Sequence, residues 1–202
     1  MKKILFLSGL SLFAFLFAAP AADRAADIVA RLSAGFRAME SYRVGFEVTM
    51  GEYRMAGNYS VAGENYCLAL GDAQVYADGR TRYEVDNRRK EVTLGRVDPA
   101  DRSILNNPAH AFDFLDSEYV PSLLWERDGE AAVLLKPVAG SGAATGHVTL
   151  VVATQTMRPK SVEYEFDGER ITVRILSVEP IREALPAFDK AAYATYEWID
   201  FR

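Results

Sequence analysis

Over residues 43–61, 66–70, 81–85 and 91–95 the chain alternates between apolar and polar side chains. Val44, Phe46, Val48 and Met50 alternate with Arg43, Gly45, Glu47 and Thr49. After Gly51-Glu52, the residues Tyr53, Met55, Gly57, Tyr59 and Val61 continue the pattern. Ala62-Gly63 turns the chain into Tyr66, Leu68 and Leu70. A period of two puts residues i and i+2 on one face of a strand and gives a helix no continuous apolar stripe. A hairpin follows, with Thr81–Val85 and Glu91–Gly95 joined by Asn87-Arg88-Arg89-Lys90. Asp78-Gly79, Asp128-Gly129 and Asp167-Gly168 mark tight turns. The last of these separates Val162-Tyr164-Phe166 from Ile171-Val173-Ile175. Ala131–Leu135 and Val148–Val152 are continuously apolar, as expected of strands covered on both faces. Short turns between half-buried strands predict an antiparallel meander of about ten strands.

Two segments break the strand pattern. Ile28, Leu32, Phe36 and Met39 recur at helical spacing, which predicts a helix over 23–40 with Asp23 as its N-cap. Residues 107–115 predict a short helix, with Asn107 as N-cap, Pro108 at the first helical position, and Phe112, Phe114 and Leu115 as its apolar side. A broad sheet with an apolar face needs a cover, and these two segments are available for it. The expected fold is mainly β with helices, α+β: a curved antiparallel sheet or incomplete barrel.

Lys2 and Lys3, the apolar run Ile4–Phe17 and Ala19-Pro20-Ala21 have the layout of a signal peptide with an A-x-A cleavage site. The expectation is a cleaved segment 1–21 followed by a single domain over 22–202, exported to the periplasm. The one cysteine, Cys67, is remote from that site, so neither a lipid anchor nor an internal disulfide is expected. Its place between Tyr66 and Leu68 suggests a small buried residue. The formal charge of −5 becomes −7 without Lys2 and Lys3. No basic patch stands out, which argues against a nucleic-acid partner. Arg88-Arg89-Lys90 falls in a hairpin turn and reads as a solvated loop. A monomer is expected.

The residues that carry chemistry are sparse. His110 and His147 lie in different elements, and neither has a second ligand at metal spacing. The stretch Gly140–Gly146 lacks the Lys-Ser/Thr and the strand–loop–helix setting of a phosphate loop. Ser141 lacks the G-x-S-x-G elbow. No nucleophile is paired with a base, so an envelope hydrolase has no support, and no cofactor or metal is expected.

The order of several segments carries a resemblance across residues 24–202. A helix precedes Phe46-Glu47-Val48-Thr49 and then Gly57. Asp78-Gly79-Arg80-Thr81-Arg82-Tyr83, Glu91-Val92-Thr93-Leu94, Asn107-Pro108 with Phe112, and Leu135-Lys136-Pro137 follow. Phe188-Asp189-Lys190-Ala191-Ala192-Tyr193 and Trp198-Ile199-Asp200-Phe201-Arg202 close the chain. In this the chain resembles a divergent branch of the LolA family of periplasmic lipoprotein carriers. The resemblance implies an incomplete, curved antiparallel barrel with helices as a lid. Its interior would receive the acyl chains of lipoproteins, taken from an inner-membrane transporter and passed to an outer-membrane acceptor. Without an N-terminal cysteine the chain resembles the carrier rather than the acceptor. Better-known members of the family carry an Arg-Pro after the second strand that helps hold the lid closed. Gly63-Glu64 stands at the matching position, so no latch residue carries over.

On this reading the cavity wall is Phe46, Val48, Met55, Tyr59, Tyr66, Leu68, Val92 and Leu94, and the lid contributes Leu32, Phe36, Phe112 and Leu115. Each side chain would supply apolar contact and none would supply chemistry. The face presented by each strand depends on register, because a slip of one residue turns every side chain over. At about 0.8 kcal/mol per CH₂, a fully buried sixteen-carbon chain gains on the order of 12 kcal/mol. A carrier that must release such cargo should cover it only in part, beneath marginally stable lids. The alternative is a sensor or adaptor module on the same fold, binding a lipid or protein partner without transport.

Overall fold

The computed structural model describes residues 21–99, 107–110, 112, 115–140, 146–166 and 168–202. The signal-peptide reading of 1–21 falls almost wholly outside them, as do Phe114, Ser141 and Asp167. Helix α1 (Ala21–Arg37) leads into a meander: β1 (Ser41–Met50), β2 (Tyr53–Ala62), β3 (Asn65–Leu70), β4 (Ala73–Asp78), β5 (Thr81–Asp86) and β6 (Glu91–Arg96). A 3-10 turn, Pro108–His110, and a one-turn helix α2 (Leu115–Glu118) precede a second meander. Its strands are β7 (Tyr119–Arg127), β8 (Glu130–Pro137), β9 (Val148–Ala153), β10 (Arg158–Phe166) and β11 (Glu169–Pro180). A second 3-10 turn, Lys190–Tyr193, leads to β12 (Glu197–Asp200).

All twelve strands form one open curved sheet in the order β12-β6-β5-β4-β3-β2-β1-β11-β10-β9-β8-β7. β1 pairs with β11 and so joins the two meanders, and β12 lies parallel to β6. Register shifts at Gly45/Phe46, Leu123/Trp125 and Pro159/Ser161 add local bends to the sheet. The turn signals at Asp78-Gly79 and Asp128-Gly129 hold. Asp128 and Gly129 both take positive φ, 52° and 78°, which a two-residue hairpin of the primed type requires. The Asp78 Oδ1 accepts from the backbone N–H of Arg80 and Thr81 at 3.0 and 2.7 Å.

Three strands, β4, β7 and β12, lie outside the segments whose alternation is legible in the sequence. Two expectations about the helical segments are corrected. α1 begins at Ala21, so Asp23 sits in its first turn, where a carboxylate favours the helix dipole, and does not cap it. The segment 107–115 is a 3-10 turn followed by a separate helix that starts at Leu115. Asn107 is buried there. Its Nδ2 donates to the Asp98 carbonyl at 3.2 Å and its Oδ1 has no hydrogen-bond partner among the described residues, so its side chain caps no described helix.

The sheet carries two cores. The larger lies on the inner face, beneath α1, and draws on β1–β4 and β7–β11. The smaller lies on the opposite face, where Val85, Val92 and Leu94 pack against Phe188, Tyr193, Tyr196 and Trp198 of the C-terminal segment. Phe188 stacks on Tyr83 at 4.1 Å and on Tyr193 at 5.4 Å.

Candidate functional site

Register determines which side chains share the inner face. Val44 of β1 faces Tyr59 of β2, Tyr59 faces Leu68 of β3, and Leu68 faces Val75 of β4. One step along, Phe46 faces Gly57, and Tyr42 faces Val61, which in turn faces Tyr66. Beyond β4 the apolar face ends: Val75 faces Glu84 on β5, and Glu84 faces Thr93 on β6. On these two strands the apolar residues point the other way.

This placement divides the wall expected from sequence. Phe46, Tyr59, Tyr66 and Leu68 are buried together in the inner core, and Val48 packs against it. Met55 lies on the same face but at its open end, where it is 47% exposed beside Met50 and Tyr53. Val92 and Leu94 are placed on the opposite face, in the smaller core. The turn at Asp78-Gly79 sets Ala77 against Arg82, and that register turns the apolar residues of β5 and β6 away from the lid. The residues missed from the wall are Tyr42, Val44 and Val61, together with Ile171, Val173 and Ile175 of β11. Val44 and Val61 are visible in the alternation. The β11 residues are not assignable without the β1–β11 pairing.

The lid residues Leu32, Phe36, Phe112 and Leu115 are all buried against this wall. A run of rings joins wall to lid. Phe46 meets Tyr59 at 5.9 Å, Tyr59 meets Tyr42 at 6.3 Å, Tyr42 meets Phe36 at 5.3 Å, and Phe36 stacks on Phe112 at 4.4 Å. Gly57 makes room for the first ring, since a Cβ there would lie 2.9 Å from Phe46 Cζ and 2.6 Å from the Ala69 carbonyl oxygen.

Polar pairs tie down the rim of the lid. Arg24 near the start of α1 forks onto Glu126 of β7 at 3.0 and 2.7 Å. Arg37 at its end forks onto Asp116 of α2 at 3.1 and 2.8 Å. The hydrogen bonds from Arg37 hold the Asp116 carboxyl below its ordinary range, and those from Arg24 do the same for Glu126. Glu64, at the β2–β3 turn, meets His110 Nε2 at 3.1 Å. Phe36, Arg37, Tyr42, Val61, Glu64 and His110 line a cavity of about 320 Å³ under this edge of the lid. That is at the small end of ligand sites.

One wall residue is out of keeping with its surroundings. Tyr59 is fully buried, and its hydroxyl has no hydrogen-bond partner among the described residues. Burial pushes its pKa well above that of an ordinary phenol. A buried, unmade hydrogen bond of this kind costs about 1–3 kcal/mol. Cys67 lies on the opposite face, half-buried, with its thiol donating to the Pro186 carbonyl at 3.3 Å. Burial raises its pKa, away from the thiolate that reactive cysteines use. Among the described residues no group of three or more His, Cys, Asp or Glu side chains could hold a metal ion. No helix among them is long and apolar enough to cross a membrane.

No protein-family model matches the chain, and no curated protein matches it in sequence. Among solved structures, one from Thermus thermophilus shares its fold. An uncharacterised conserved protein from Thermus thermophilus aligns with a TM-score of 0.52 over 90% of this chain and 100% of its own, at 6% identity. A DUF1329 family protein from Desulfovibrio piger aligns at 0.49 over 86% and 99%, with 11% identity. A LolA superfamily protein from Nitrosomonas europaea aligns at 0.42 over 80% and 94%, with 14% identity.

Proposed function

We propose that this chain is a divergent LolA-like carrier of the periplasm that shelters the acyl chains of lipoproteins, or of a related lipid, against the inner face of its sheet. The observation that carries this reading is the way the wall is covered. The backbone hydrogen bonds of α1 are satisfied within the helix, so lifting it off the sheet breaks no backbone ladder. What holds it is side-chain packing, the Phe36–Phe112 stack and polar pairs at a solvent-exposed rim. Exposed pairs of that kind contribute about 0–1 kcal/mol each. Apolar cargo that replaces α1 and Phe112 on the wall recovers much of the burial the lid gives up, so opening and loading offset one another.

Among the described residues the buried wall carries no charged side chain, which suits a carrier of acyl chains with varied attachments. Export rests on the Lys2–Ala21 pattern. An inner-membrane donor and an outer-membrane acceptor follow from the family resemblance. The test is to purify the mature chain from an envelope extract, extract it with organic solvent and identify what is released by mass spectrometry. Displacement of an apolar fluorescent dye by an acylated peptide is measured alongside. Recovery of acylated molecules or competitive displacement is the expected result. A protein that releases no lipid and binds neither dye nor acylated peptide overturns the reading.

A further inference from the structure

We propose that the face of the sheet opposite the lid carries a second binding site, a trough across β11, β1, β2, β3 and β4 that takes an extended, neutral β-1,4-linked glycan. Register lines up one side chain from each of these strands. Ser177 of β11 faces Gly45 of β1, Gly45 faces Asn58 of β2, Asn58 faces Ala69 of β3, and Ala69 faces Gln74 of β4. Polar residues thus alternate with the two smallest residue types along a row that runs across the strands. Gly45 stands at the register shift of β1, and a Cβ there would lie 2.9 Å from Ser177 Oγ, so its missing side chain keeps the floor low. The chain after β11 builds the wall. Glu183 accepts from Arg43 at 3.2 Å, and the Pro186 carbonyl accepts from the Cys67 thiol. Arg43 is also fixed from below, its Nε donating to the buried Ser60 Oγ at 3.0 Å. Row and wall, with Tyr76, enclose a cleft of about 460 Å³, a size usual for ligand sites.

The chemistry of the row restricts the ligand. Asn58 and Gln74 offer carboxamides and Ser177 a hydroxyl, groups that both donate and accept, as sugar hydroxyls do. Gln74 Oε1 accepts from the Tyr193 and Tyr76 hydroxyls at 3.0 and 3.2 Å, which fixes the amide and leaves its N–H donors for a ligand. Among the described residues that line the cleft, Arg43 alone is charged, and Glu183 pairs with it. The whole chain stands at −5, so an anionic polymer gains nothing here. The polar side chains stand on every second strand, roughly 9–10 Å apart at the usual inter-strand spacing. That spacing is close to the disaccharide repeat of an extended β-1,4-linked glycan, in which every second sugar presents the same edge. An extended peptide presents side chains to one face every ~7 Å, out of step with the row. Nor can a peptide add to the floor as a further strand, because each floor strand is already paired on both sides.

The test titrates the isotopically labelled mature chain with cellotetraose and with chitotetraose, and follows the backbone amides by NMR. Maltotetraose and a neutral hexapeptide of serine and asparagine serve as comparisons. The expected result is saturable shifts at Gly45, Ala69 and Ser177 with at least one of the β-1,4-linked tetrasaccharides. Binding of cellotetraose shows that hydroxyls suffice, and binding of chitotetraose alone shows that the acetamido group is needed. Maltotetraose, whose α-linkages coil the chain, and the hexapeptide should both bind more weakly. Asn58→Ala should lower the affinity for the bound glycan about two- to twelve-fold, as for one hydrogen bond. Its melting temperature should match that of wild type, because Asn58 is exposed. No saturable shift with either β-1,4-linked tetrasaccharide, or shifts confined to the inner face, overturns the proposal. So does an affinity for maltotetraose or the hexapeptide that equals or exceeds that for the glycan, or an unchanged glycan affinity in a folded Asn58→Ala. If Asn58→Ala melts early, Ala69→Glu, which blocks the middle of the row, takes its place, and unchanged glycan affinity in that variant overturns the site.

Discussion

Gly57 governs how closely β2 can approach its neighbours. Its missing side chain leaves the space that the Phe46 ring occupies, and the Ala69 carbonyl lies closer still. A backbone carbonyl cannot rotate away as a side chain can. Gly57→Ala should therefore destabilise the protein by about 1–3 kcal/mol through overpacking, measured by urea denaturation. Gly35, on α1, has nothing within 4 Å of the position a Cβ would take. Gly35→Ala should stabilise by about 0.5–1 kcal/mol through helix propensity. Equal effects at the two positions would refute this account of Gly57. The glycine itself is visible in the alternation, but its reason is not, because Phe46 and Ala69 reach it from two other strands.

At the scale of the element, Arg37 and Asp116 tie α1 to α2. The Asp116 carboxyl is held below its ordinary value of 3.8, first by the hydrogen bonds from Arg37. A depressed carboxylate pKa stabilises the fold above the unfolded value, and that contribution is lost as pH falls through the folded value. The lid should therefore loosen on the acid side, below pH 3.8, and not near neutrality. Asp116→Asn should raise amide hydrogen exchange in α2 at pH 7, and the gap between variant and wild type should close as the wild-type carboxylate protonates. The pair is partly exposed, so the effect should stay below about 1 kcal/mol and shrink in high salt. A gap that persists unchanged at low pH would show that the charge is not what matters. The sequence makes α1 legible because one stripe of a 3.6-residue period is apolar. It does not reveal that α1 reaches β7 through Arg24 and Glu126, which are far apart in the chain.

For the whole molecule, the sheet separates two tasks. Its inner face meets the lid, while its opposite face carries the C-terminal segment on an aromatic cluster around Phe188. Trp198 of β12 lies beside Val92 of β6, and its Nε1 donates to the Tyr193 carbonyl at 3.2 Å. Phe188→Ala should cost about 3 kcal/mol of stability from the lost core contacts and leave acyl-ligand affinity unchanged, because the two cores lie on opposite faces. Denaturation and dye displacement on the same variant check both halves. A matching loss of affinity would mean that the faces are coupled.

The sequence by itself determined the elements that local periodicity encodes: long strands at period two, a helix at period 3.6, and the turns at Asp78-Gly79 and Asp128-Gly129. It also supplied most of the apolar residues that meet at the wall and lid, because Phe36, Phe46, Tyr59 and Phe112 each belong to a legible pattern. Only the tertiary structure decided which face each strand turns to α1. Alternation reads the same from either side, and the pairing of Ala77 with Arg82 is what sent Val92 and Leu94 to the far face. It also decided that β1 pairs with β11, an interaction between segments more than a hundred residues apart that no local window contains. The unpartnered Tyr59 hydroxyl is a consequence of the same kind. Alternation already places Tyr59 on the expected wall, but only the packing of Val44, Leu68 and Phe46 around it leaves its hydroxyl without a partner among the described residues.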